Sequence, residues 1–129
     1  MKTPEYYKQM FFVGSLWIME AAILFIMAPL FIPSMFDLFG TEEPTNYVWF
    51  YLFFAMVFTL GLGYYWVSSD VNQNHALVKT GLIAKILFFL IMLGYTISGD
   101  FNWLVMSPAS IDLIFEILFI EFLKNYKIS

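Results

Sequence analysis

Four apolar runs alternate with short polar connections along this chain. A helix rises about 1.5 Å per residue and a bilayer's hydrocarbon core is about 30 Å thick, so about 20 apolar residues suffice to cross it. The first run lies between Lys8 and Asp37, with Glu20 its only charge. It predicts a helix over 10–31, with Pro29 and Pro33 marking its end. No charge at all separates Glu43 from Asp70, which predicts a second helix over 46–67. Tyr47 and Trp49 at one end of it, and Tyr64, Tyr65 and Trp66 at the other, read as two interfacial aromatic belts. The run GLIAKILFFLIMLGYTISG predicts a third helix over 77–97, and SIDLIFEILFIEFL belongs to a fourth over 102–123. Residues 33–45 read as an acidic loop, SSDVNQNHA as a polar loop, and the turn around Asp100 as a tight connection.

Composition turns this pattern into a fold class. The chain has 129 residues, 61% hydrophobic and only 12% charged. Soluble domains carry about 25% charged residues, and a domain this small cannot hide so much apolar surface. The expectation is a single all-α domain, an integral membrane four-helix bundle. A signal peptide does not fit the first run. Its apolar core would span about 7–15 residues, whereas this run is longer and contains Glu20. The net charge of −4 leaves no basic stripe for nucleic acid. With no cysteine there is no disulfide, thiol catalysis or thioether-linked haem. Every basic residue is lysine, which fits an AT-rich bacterial genome.

The lysines also predict orientation. Lys2 and Lys8 precede the first helix, Lys79 opens the third, and Lys124 and Lys127 follow the fourth. The other two connections hold no lysine. Because basic residues stay on the cytoplasmic side, both termini and the middle loop are expected inside, in one fixed orientation.

Charged residues at membrane depth carry the candidate chemistry. Lys85 lies fifteen residues before Asp100 and Asp112 twelve after it, so the two meet at similar depth if the hairpin turns at Asp100. Glu116 is one turn beyond Asp112 on the same face, and Glu20 falls near the middle of the first helix. Charges at bilayer centre cost at least about 2.5–3.5 kcal/mol and therefore face the interior, pair, or line a cavity. Glu20, Lys85, Asp112 and Glu116 are expected to converge, with Tyr64 offering its hydroxyl from the cytoplasmic half. Glu121, near the inner interface, reads as snorkelling or solvated.

Pro108 predicts a kink in the fourth helix, through loss of a hydrogen bond to Leu104 and a clash with its carbonyl. In the competing reading Ser107 caps the helix and Pro108 opens it. Gly61 and Gly63 predict close helix approach. His75 stands alone in a loop without ligands at metal spacing, and no phosphate loop or nucleophile motif is present, so neither metal nor cofactor is expected.

The stretches GLGYYWVSSDVNQNHALVKTGLIAKILFFL and DFNWLVMSPASIDLIFEILFIEFL resemble small bacterial four-helix membrane proteins of a loosely DoxX-like type. The shared pattern is Gly-x-Gly-Tyr on helix two, Lys on helix three and Asp on helix four, here Gly61, Gly63, Tyr64, Lys85 and Asp112. The resemblance implies an inner-membrane helical bundle. DoxX-like proteins associate with redox partners, although no redox residue appears in this chain. Glu20 in the first helix is also similar to the single membrane glutamate of small multidrug-resistance transporters. The additional intramembrane charges and the complete lysine bias depart from that family.

These features predict that a small molecule or ion binds, or is transported, at a polar midplane site, in a homodimer or as accessory to a larger membrane complex. A lipid is among the expected ligands. Two alternatives stand beside it: a structural subunit with a buried Lys85–Asp112 pair, and a membrane enzyme acting on a lipid or sterol-like substrate.

Overall fold

The computed structural model describes residues 2–126. Among them there is no strand, and four helices are long and apolar enough to cross a membrane. Helix α1 spans Pro4–Phe31, α3 Val48–Ser69, α4 His75–Ile97 and α5 Met106–Asn125. A fifth, α2, is a single turn at Met35–Leu38 inside the segment expected to be loop. Lys127 lies outside the described residues.

Local chemistry sets the helix ends. Helix α1 starts six residues earlier than its apolar run, because Thr3 caps it and Pro4 occupies the first position. The Thr3 hydroxyl accepts from the Tyr6 amide at 3.2 Å, and proline there loses no intrahelical bond. Asn74, at φ 65°, opens α4 from a left-handed conformation that asparagine tolerates. Gly99, at φ 93°, provides the turn after α4.

The expected kink at Pro108 is absent. A 3₁₀ turn at Trp103–Val105 precedes α5, and Pro108 is the third residue of that helix. First-turn amides have no intrahelical acceptor, so a proline there removes nothing. Ser107 is not the cap either. Asn102 takes that role one turn earlier, accepting from the Leu104 amide at 3.0 Å.

Helix α1 packs chiefly on α3, and α4 on α5. Where α1 crosses α3, Gly61 leaves no room for a side chain: a Cβ there would lie 2.6 Å from Met19 Cγ. The dense core sits at the end that carries the termini and the α3–α4 connection. There Phe11 stacks on Phe119 at 4.7 Å, and Phe122 meets Tyr7 and Phe11 edge-on at 5.0 and 4.8 Å. Tyr64, Val67, Val71 and Val78 close it. Outward, the helices present large apolar side chains such as Leu24, Met56, Ile83, Leu90 and Ile114, the surface a lipid environment requires.

The opposite end is tied across the top. The Asn102 amide donates to the Phe39 carbonyl at 3.0 Å, and the Asn102 side chain donates to the Leu38 carbonyl. These bonds fasten the α2 segment to the α4–α5 turn.

Candidate binding site

Beneath this tie the helices do not close. A cavity of about 460 Å³ lies among them, lined almost wholly by apolar and aromatic side chains. Phe25, Phe36, Phe54, Phe88 and Phe101 make up much of its wall, with Ala22 and Ala109 keeping it open. At its floor are Lys85 and Asp112. A concave apolar chamber of this size with a few convergent polar groups has the form of a small-molecule site.

The floor is an ordered network. Lys85 Nζ donates to Asp112 Oδ2 at 2.9 Å, and Trp17 Nε1 donates to Asp112 Oδ1 at 2.9 Å. Lys85 is only 8% exposed, and its long stem threads from α4 toward α5. Its ammonium also lies 5.7 Å from the Phe88 ring centroid, within cation–π range. Three helices thus converge on one carboxylate: α1 through Trp17, α4 through Lys85 and α5 through Asp112 itself. Charge-assisted hydrogen bonds of this kind are about twice as strong as neutral ones. The Trp17 bond was not expected from the sequence. A tryptophan in an apolar run reads as packing, and only its donor-only indole N–H could have signalled a polar partner.

Glu116 and Tyr64 lie off the cavity, toward the dense core. Glu116 is 3% exposed, and among the described residues neither of its carboxyl oxygens has a hydrogen-bond partner. Tyr64 is fully buried, which removes it from the interfacial belt, and its hydroxyl is likewise unpartnered among the described residues. The ring fits only because Gly81 faces it: a Cβ on Gly81 would collide with the Tyr64 hydroxyl and lie 2.8 Å from Leu60 Cδ1. Asp112 and Lys85 both act electrostatically on Glu116.

Glu20 does not join the cluster. The inward face of α1 carries Tyr7, Met10, Phe11, Gly14, Ser15, Ile18 and Ala22. Glu20 is two residues beyond Ile18, about 200° around the helix, and is exposed on the outer face. The expected convergence therefore contracts to Lys85, Asp112 and Glu116, with Trp17 in place of Glu20. Glu121 is not a free snorkelling side chain. The Tyr7 hydroxyl donates to its carboxylate at 2.9 and 3.0 Å, and Lys2 Nζ approaches to 3.8 Å. His75 ring nitrogen Nε2 lies 2.6 Å from the Val71 carbonyl, and among the described residues no cluster of side chains could hold a metal ion.

No protein-family model matches the chain, and neither a curated protein nor a solved structure matches it.

Proposed function

We propose that this chain is a multi-pass membrane protein of a bacterial inner membrane, with both termini inside, that binds a small and mostly apolar molecule with one polar end. The observation that carries this reading is the cavity of about 460 Å³, aromatic on its walls and closed below by the Lys85–Asp112 pair. The apolar body of the ligand fills the chamber, and its polar end meets the floor. An ion is a poorer fit, because the walls offer no ring of oxygens to replace its hydration shell. The lysine distribution supports the orientation.

Equilibrium dialysis of fluorene, a rigid neutral hydrocarbon, tests the chamber. Nanodiscs containing the protein are expected to bind it saturably, above the level of empty nanodiscs of the same lipid. Ala109→Phe, which places a ring in the chamber, removes the saturable component while leaving the helical content unchanged. Equal uptake by empty, wild-type and Ala109→Phe nanodiscs would sink the proposal.

The 2.9 Å contact between Lys85 and Asp112 supports a second reading, in which the pair serves only to fix α4 against α5. Removing one partner of a buried pair costs about 3–5 kcal/mol, whereas replacing both is often neutral. On that reading Lys85→Met unfolds the protein, Lys85→Met/Asp112→Asn restores it, and the restored double variant binds every probe as the wild type does.

A further inference from the structure

The floor of the cavity has hydrogen-bonding capacity to spare. Each oxygen of Asp112 accepts one bond, one from Lys85 and one from Trp17. Lys85 carries three N–H donors. Among the described residues it uses one, on Asp112. Lys85 lines the cavity, and its ammonium stands over Phe88, which lines the same wall. The two unused N–H donors of Lys85 are therefore the charged anchor the floor offers, beside the remaining lone pairs of Asp112. Trp17 adds no donor, because its single N–H is committed to Asp112.

Charge narrows the ligand further. Lys85 and Asp112 neutralise one another, and Glu116 lies one turn below them with no cation of its own. An anionic head on Lys85 would be repelled by the Asp112 carboxylate and by the second carboxyl. A cationic head would meet the Lys85 ammonium. A neutral acceptor takes a free Lys85 N–H without displacing Asp112.

We infer that the ligand of this cavity is a neutral amphipathic molecule whose polar end is a hydrogen-bond acceptor, such as a ketone, ester or tertiary-amide carbonyl, received by Lys85. This rests on the binding function proposed above and specifies its chemistry. Trp17 is the positioning residue. By holding Asp112 Oδ1 it keeps the carboxylate turned so that Oδ2 fixes Lys85 at the chamber floor.

Three probes of nearly the same shape separate the possibilities. Fluorene offers no polar group, fluorenone offers a carbonyl acceptor, and carbazole offers an N–H donor. Each is dialysed against nanodiscs containing the protein, and its binding is normalised to its partition into empty nanodiscs. Fluorenone is expected to bind about ten-fold or more tighter than fluorene, as a charge-assisted hydrogen bond allows, and tighter than carbazole. In Lys85→Met/Asp112→Asn, which leaves no orphaned charge, the fluorenone advantage disappears and fluorene binding stays.

Equal affinity for fluorenone and fluorene would overturn the inference, as would a preference for carbazole or an advantage that survives the double substitution. Saturable fluorene binding without a fluorenone preference removes only the acceptor assignment. Absence of saturable binding by all three probes removes the proposed function itself, and this inference with it.

Discussion

Trp17 on α1 and Asp112 on α5 are joined by a 2.9 Å hydrogen bond between the indole N–H and Oδ1, across 95 residues of sequence. It links one helical hairpin to the other at the depth where Lys85 holds the second carboxylate oxygen. Trp17→Phe keeps a ring in place but leaves Oδ1 without its donor. The expected loss of stability is about 1–3 kcal/mol, the cost of an unsatisfied buried polar atom. Unfolding in mixed micelles measures it. In an Asp112→Asn background the same substitution should cost less, because a neutral amide accepts a weaker hydrogen bond than a carboxylate.

Glu116 makes the opposite prediction. Its two oxygens are buried without partners among the described residues, so they contribute a desolvation cost and no compensating bond. Glu116→Met replaces them with a flexible apolar chain of similar length. The same unfolding assay is expected to show stabilisation by about 1–3 kcal/mol. A loss of stability would mean that the folded protein does give this carboxyl a partner.

Gly81 and Tyr64 form a steric pair. Gly81→Ala places a methyl group against the Tyr64 hydroxyl and 2.8 Å from Leu60 Cδ1, and Tyr64, fully buried, has no free space to enter. Overpacking of this kind costs about 1–3 kcal/mol. Tyr64→Phe removes the oxygen and should relieve part of that cost in the double variant. Additive losses in a double-mutant cycle would contradict the contact.

Outside the spans, Tyr47 precedes α3 and donates its hydroxyl to Glu43. This hydrogen bond, with smaller contributions from desolvation and the Glu43 charge, pushes the Tyr47 phenol from 10.0 up to about 12. A raised folded value means the bond's stabilising effect is present below about pH 10 and is lost as pH rises through about 12. Phenolate absorbance should therefore show a late-titrating tyrosine that Tyr47→Phe removes. Glu43→Gln should move that titration back toward 10. A late component that Tyr47→Phe removes but Glu43→Gln leaves in place would rule out the cause given.

The four long helices were legible because hydropathy alone marks a run that can cross a membrane, although α1 begins six residues before its apolar run. Lys85 and Asp112 were legible as partners because hairpin geometry fixes depth from residue number. Rotation about the helix axis was less legible. Glu20 was placed correctly along α1 but on the wrong face. The short helix at Met35–Leu38 was missed because MFDL, between proline and glycine, carries no periodic signal of its own. The Pro108 kink was overturned by a 3₁₀ turn that shifts the start of α5, so that proline falls where no bond exists to be broken.

A chain this apolar determines by itself that it forms four long helices and how far along each of them a charge lies, because transfer free energy depends on composition along the axis. It does not determine which side of each helix faces the others. In a soluble protein a polar outer face reveals the inner one, but here both faces of each helix are apolar, and the usual amphipathic signal vanishes. Only tertiary packing decided that Trp17 takes Glu20's expected place, that Tyr64 and Glu116 are sealed away without partners, and that the aromatic side chains at one end pack together while those at the other leave a chamber over Lys85.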